Sequence, residues 1–302
     1  MVLDATAHQI MTPNQLKKSV KRVLPSPLFR IVQRIRTARH GPPPQIAQLR
    51  ERYLNCQPIN QDEMTLRPGI TVRIDPQSRD PFEWFCFKSP EMVHELDCFL
   101  QNLGTYLSFA DVGANHGIFS LAFCARRPDG HVLSVDPSPI ALKILERNRQ
   151  LNSFWQIQTC CIACGNVSGH VQMKRNWHHL EAVRDNKASD QDLVSVAMVA
   201  LDQLCVERNI SPELLKIDVE GFELRVLQGA RRVLETAKLL FLEVHPELIN
   251  ELRLSQIAIF DLLTSSGWAG CTLSEAPLTR KDFADRIHTF WTVWRNVNAA
   301  TA

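Results

Sequence analysis

The sequence predicts a doubly wound α/β domain with a mostly parallel sheet, and three observations lead there. Short apolar stretches recur from Leu107 onward, helical periodicity fills the gaps between them, and the polar motifs fall where the apolar stretches end. A buried parallel sheet covered by helices on both faces produces this alternation.

Residues 1–60 read as an extension, because Pro25, Pro27 and the Gly41-Pro-Pro-Pro44 run interrupt any long element. Within residues 26–38, Leu28, Ile31, Val32 and Ile35 recur at helical spacing among Arg30, Arg34 and Arg36. The simpler reading is a short helix that packs on the main domain with its arginines in water. The same segment also suits contact with an anionic membrane or a partner. The main domain is expected over 61–298.

Ile70–Ile74 alternates apolar and polar residues, and Pro81–Phe87 is rich in aromatics. Both read as strands, a hairpin ahead of the main sheet. Ser89-Pro90 then supplies an N-cap and a first helical residue, followed by Met92, Val93, Leu96, Phe99 and Leu100 at helical spacing. Core strands are expected at Leu107–Val112, His131–Val135, Gln156–Ala163, Leu214–Asp218 and Leu239–Val244. Helices are expected at Ile118–Arg126, Pro139–Leu151, Glu223–Leu234 and Glu247–Ser266. Two further strands, Gly169–Lys174 and Leu193–Ala200, are inserted after the third, and His288–Trp294 completes the sheet as an antiparallel member.

Composition narrows the function. Of the 302 residues, 45% are hydrophobic and 22% charged, with a formal net charge of +2. Residues 1–53 hold ten Lys/Arg against Asp4 and Glu51, a balance of +8, which leaves 24 basic against 30 acidic residues, −6, in the rest. A mildly acidic body argues against nucleic-acid binding. No apolar run reaches the ~18 residues of a membrane span, and Met1–Ile10 lacks the order of a secretion signal. The nine cysteines are irregularly spaced in apolar runs, as expected of buried thiols in a cytoplasmic protein. Cys161 and Cys164 have CxxC spacing without a complementary pair, so core packing is expected of them.

In a doubly wound sheet, ligands sit beyond the carboxyl ends of the strands, where strand order reverses. Asp111-Val-Gly-Ala-Asn-His-Gly117 follows the first core strand. Gly113 and Gly117 allow a tight turn and close backbone approach to a ligand at a helix start. The spacing is GxxxG rather than the GxGxxG of dinucleotide sites. Asp111 would repel a pyrophosphate but can receive an ammonium group. Val135-Asp136-Pro137 ends the second strand, where a carboxylate can accept both hydroxyls of a ribose. Leu214-Leu-Lys-Ile-Asp-Val-Glu-Gly-Phe-Glu223 sets Lys216, Asp218 and Glu220 against Ile217 and Val219. Three ionisable groups at a strand end are costly unless paired or functional. Leu242-Glu-Val-His245 ends the fifth strand with a group that titrates near neutrality.

Together these four segments resemble the FkbM family of S-adenosylmethionine-dependent methyltransferases, over residues 65–270. The resemblance implies the seven-stranded sheet of class I methyltransferases and methyl transfer, usually to oxygen. It implies that Asp111, Gly113, Ala114, Asn115 and Gly117 surround the methionine part of the cofactor and that Asp136, with Pro137, holds the ribose. Residues 161–163, Ile162 among them, would flank adenine, and Asp218 would sit near the reactive methyl. Glu223 reads as an acid favoured at a helix start. His116 reads as a cap on the pocket, and His178-His179 as a polar loop.

The expected reaction is O-methylation of a hydroxyl on a sugar, glycan or secondary metabolite, with Asp218, Glu220 or His245 as the base. An Asp218–Glu243–His245 set can hold a divalent ion, though no spacing rule demands one, and no metal is predicted. Alternatives are a non-catalytic cofactor-binding protein of the same fold and an NAD-dependent oxidoreductase, against which the GxxxG loop speaks.

Overall fold

The structure, a computed structural model, describes residues 62–176, 179–182 and 193–299. The expected extension over 1–60, its basic helix and most of the stretch 177–192, His178 included, lie outside the described residues.

The described chain opens on an antiparallel hairpin, Glu63–Arg67 (β1) and Ile70–Arg73 (β2). Gly69 makes the turn at φ +77°. A hairpin does precede the main sheet, but Ile70–Arg73 is its second strand and pairs with Glu63–Arg67, not with Pro81–Phe87. Pro81–Phe87 is helical instead: Arg79–Glu83 (α1) runs into a π-helical turn over Trp84–Lys88. Its aromatic richness reflects a wall of side chains rather than a pleated edge. Helix Pro90–Gln101 (α2) starts as expected, with the Ser89 hydroxyl accepting the Met92 N–H at 3.4 Å.

Next come Ser108–Val112 (β3), Ile118–Arg126 (α3), His131–Val135 (β4), Pro139–Leu151 (α4) and Ile157–Cys160 (β5). The expected strand 156–163 ends at Cys160, because Ala163–Gly165 (β6) turns away into a second sheet. That sheet contains Gly169–Asn176 (β7), His179–Ala182 (β8) and Leu193–Ala200 (β9), in the order β6-β9-β7-β8. The chain returns through Leu201–Glu207 (α5) to Leu214–Ile217 (β10), Glu223–Gln228 (α6), Arg231–Thr236 (α7) and Leu239–Val244 (β11). Pro246–Glu251 (α8), Gln256–Ser265 (α9), Trp268–Thr272 (β12), Arg280–Ala284 (α10) and Phe290–Asn296 (β13) finish it.

Two expected helices are each split. The 223–234 helix breaks at Gly229, where a Cβ would lie 2.0 Å from the Gly165 carbonyl oxygen. The 247–266 helix breaks around Arg253, which takes φ +55°.

The central sheet has seven strands in the order β12-β13-β11-β10-β3-β4-β5. β13 lies antiparallel to both β11 and β12, and the other described pairings are parallel. β10 and β11 are buried along their whole length, as central parallel strands must be. One face packs on α5–α7 and α9 through Leu204, Val226, Leu227, Leu234 and Ile259. The other carries aromatics: Phe99 contacts Phe109, Phe119 and Phe241 with centroids 5.1–5.4 Å apart. Strand order reverses between β3 and β10, which opens a crevice at their carboxyl ends. Among the described residues no helix is long and apolar enough to cross a membrane.

Candidate active site

The crevice is a cavity of about 390 Å³, and it joins most of the motifs at the strand ends. Gly113, Ala114 and Asn115 line it from the loop after β3, Asp136 and Pro137 from the end of β4, and Asp218 and Glu220 from the end of β10. Lys216, Glu243 and His116 line it as well, whereas Asp111, Gly117, Ile162 and His245 do not. Ile162 packs against the core, and its successors Ala163 and Cys164 face the cavity in its place.

The first loop is held by backbone. Gly113 and Ala114 donate to the Val135 carbonyl at 2.8 and 3.0 Å. Gly113 has φ +88°, and a Cβ there would fall 1.7 Å from the Asp218 carbonyl oxygen. Only glycine lets the ends of β3 and β10 close to this distance. Gly117 adopts φ +85° at the start of α3, which has no side-chain cap. Asp136 fastens the loop to β4: one carboxylate oxygen accepts the Asn115 N–H at 2.9 Å and the other the Ser138 N–H at 2.8 Å. Burial pushes its carboxyl up to about 6 against those two amides. Asp111 turns inward, accepting the Ser120 hydroxyl at 2.6 Å, and burial pushes it up to about 6 as well.

At the end of β10, Lys216 is only 2% exposed and sits between Glu95 of α2, at 3.3 Å, and Asp218, at 3.4 Å. Its ammonium also lies 4.6 Å from the centre of the Phe119 ring. Burial opposes that charge, but Glu95, Asp218 and Glu243 outweigh it and hold the lysine above its ordinary range. Burial also works against the Asp218 carboxylate, yet Lys216 and His245 keep it below its ordinary range. Glu95 goes the other way despite its ammonium neighbour, because burial pushes it up to about 8.

His245, at the start of α8, pairs through Nδ1 with Glu223 at 2.7 Å. Glu223 is fully buried and also accepts the Gly221 N–H at 2.9 Å. The imidazole Nε2 faces Glu243 at 3.5 Å, Glu220 at 3.6 Å and Asp218 at 3.9 Å. Burial disfavours charge on this ring, but its carboxylate partners, Glu223 first, raise it well above the usual histidine value. Burial, then Asp218, pushes Glu243 up to about 7.

Asp218, Glu220 and His245 each offer an atom within 4.8 Å of the others, a spacing that a cation can bridge. Lys216 and the protonated His245 already balance these carboxylates. A cation would have to compete with both.

Asp218, Glu220 and His245 thus come together, and Glu243, read in the sequence only as part of a possible cation set, joins them, whereas Glu95 and Glu223 were not read as site residues. Glu95 and Glu223 look like ordinary helix acids in the sequence. Glu243 carried a signal in its place before Val244-His245. The walls of the cavity were missed too: Pro81, Phe82, Trp84, Phe85 and Met92 on one side, Val171 and Met173 on another.

The seven-stranded sheet with its antiparallel β13 is that of a class I methyltransferase, as the resemblance implied. Residues 111–263, half of the chain, match the family described as methyltransferase FkbM domain, and the chain belongs to that family. Methyltransferase sdnD of Sordaria araneosa is 29% identical over 165 residues, which are 43% of this chain and 62% of that protein. The chain therefore spans less than two thirds of that relative. Methyltransferase FkbM from Methylobacillus flagellatus KT has a TM-score of 0.42 at 16% identity, covering 70% of this chain and 52% of that one. A SAM-dependent methyltransferase from Agrobacterium tumefaciens has a TM-score of 0.41 at 15% identity, covering 79% of this chain and 71% of that one. Both likenesses are loose, and the family assignment rests on the matched residues.

Proposed function

We propose that this chain is an S-adenosylmethionine-dependent methyltransferase acting on a hydroxyl oxygen. The observation that carries the reading is a single cavity lined by Gly113, Asn115 and Asp136 as well as by Lys216, Asp218 and Glu243. Gly113, Ala114 and Asn115 would border the methionine part of the cofactor, and Asp136 would accept the ribose hydroxyls. Pro137, Ala163 and Cys164 would flank adenine. The close glycine turn and the oriented Asp136 carboxylate fit such a ligand. S-adenosylmethionine supplies an electrophilic methyl group.

The chain's own task is then to place the acceptor hydroxyl and to take its proton. His245, kept protonated by Glu223, is poorly suited to be the base. Glu243 suits that role better: it is buried, lines the cavity and ionises near neutrality. The acceptor hydroxyl would donate its hydrogen bond to the Glu243 carboxylate, while Asp218, held ionised, keeps the charged Lys216 and His245 in place beside it. Glu243 would take that proton as the oxygen gains the methyl group, and the electron pair of the broken sulfur–carbon bond would stay on the cofactor's sulfur as a neutral thioether.

The test uses S-adenosylmethionine labelled in its methyl group and a panel of hydroxylated acceptors. Label should appear in an ether that survives alkali, and Glu243→Gln should slow the transfer about a hundredfold or more. Because the base must be ionised, the rate should climb as pH rises through about 7 and the variant should lose that rise. Label in an alkali-labile ester would refute oxygen-ether methylation, and a Glu243→Gln enzyme with unchanged rate would remove Glu243 as the base.

A further inference from the structure

The lining of the cavity is sharply divided. Its polar groups cluster at the ends of β3, β4, β10 and β11, and the remaining wall is apolar. Trp84 and Phe85 of the π-helical turn, with Met92 of α2, form one side, and Val171 and Met173 of β7 form another. Neither segment belongs to the doubly wound core. The π-helical turn closes with the Ser89 N–H donating to the Trp84 carbonyl at 3.1 Å. The wider turn puts Trp84 and Phe85 on the cavity while the neighbouring Cys86 and Phe87 stay buried.

The wall is built rather than loosely placed. Phe85 stacks edge-on against Phe119 at 5.5 Å. Buried Arg67 donates to the Phe85 carbonyl at 3.4 Å and the Val93 carbonyl at 2.8 Å, and it pairs with Asp97. Trp84 lines the cavity and keeps 37% of its surface exposed.

We propose that this wall is the acceptor subsite and that it takes a small apolar or aromatic skeleton bearing a hydroxyl, rather than a sugar. The proposal rests on the methyltransferase reading, since it makes the wall the acceptor's side of a shared cavity. A sugar carries hydroxyls all round, and each one buried without a partner is costly. The side chains of Trp84, Phe85, Met92, Val171 and Met173 provide no such partners apart from the Trp84 indole N–H. An apolar skeleton gains by burial against them, and its one hydroxyl finds Asp218 and Glu243 at the polar end. The sugar or glycan acceptor expected from the sequence is set aside on this ground.

The experiment titrates 1-naphthol and methyl α-glucopyranoside into the full chain saturated with S-adenosylhomocysteine, followed by calorimetry. Naphthol should bind at least about tenfold more tightly than the glucoside, and Trp84→Ala should weaken it about tenfold. The exposed Trp84 can be removed without opening the core, so S-adenosylhomocysteine affinity should stay unchanged in that variant. Naphthol that binds no better than the glucoside, or is indifferent to Trp84→Ala, overturns the proposal. So does naphthol that is displaced by S-adenosylhomocysteine, because the wall would then belong to the cofactor. Should S-adenosylhomocysteine fail to bind while naphthol still depends on Trp84, the cofactor reading falls and the apolar subsite stands.

Discussion

Lys216 is the residue on which the charge balance of the site turns. It is a buried cation within 3.3–3.4 Å of two carboxyl groups, and removing one member of such a set leaves the others uncompensated. Lys216→Met should therefore lower stability by about 3 kcal/mol or more in urea unfolding at pH 7. Glu95→Gln should cost far less, about 1 kcal/mol, because burial already favours the neutral carboxyl. Equal losses would show that Glu95 is ionised in the folded protein. At this scale the sequence was most legible at strand ends. Asp136, Asp218 and His245 stand out there because a charged group closing an apolar stretch needs a reason. Glu95 and Glu223 were illegible because their partners, Lys216 and His245, are 121 and 22 positions away. An acid on a helix is ordinary until the fold supplies its neighbour.

Among the elements, the segments that hold the loop after β3 depend on one amide. Asn148 of α4 is fully buried; its Oδ1 accepts the Asp75 N–H at 2.6 Å, and its Nδ2 donates to the Ser78 hydroxyl and the His116 carbonyl at 2.8 and 2.9 Å. It thereby joins the entry to α1, the loop after β3 and α4. Asn148→Leu strips three buried groups of partners and should destabilise by roughly 3 kcal/mol. Hydrogen exchange should show faster opening at residues 75–78 and 113–118, and a uniform loss across the sheet would contradict the local role. The alternating core was legible because strand and helix periods differ. The breaks at Gly229 and Arg253 were not, because the apolar pattern continues through them and a tertiary approach, Gly165 against Gly229, decides the first. The π-helical turn was misread as a strand because five residues carry too few turns to reveal a period.

For the whole molecule, the buried acids give stability a direction with pH. Folding raises Glu95 to about 8, Glu243 to about 7, and Asp111 and Asp136 to about 6. A carboxyl raised on folding stabilises while protonated, and that contribution is lost as pH climbs through the folded value. His245, also raised, stabilises while charged and loses its contribution in the same direction. Asp218 is lowered and opposes this only in acid, below the ordinary carboxylate range. The ligand-free protein should thus melt at a higher temperature at pH 5.5 than at pH 8.5, by roughly 5 °C. A melting temperature that rises toward pH 8.5 would contradict the buried-carboxyl account.

The doubly wound sheet and the reversal between β3 and β10 bring these scales together, since they gather distant motifs into one cavity. Cofactor binding is the claim on which the rest depends, and calorimetric titration with S-adenosylmethionine tests it most directly. The account predicts saturable binding that Asp136→Ala weakens about a hundredfold, through loss of the ribose contacts and of the anchor on Asn115, with no response to NAD. Binding of NAD alone, or S-adenosylmethionine affinity indifferent to Asp136→Ala, would contradict it.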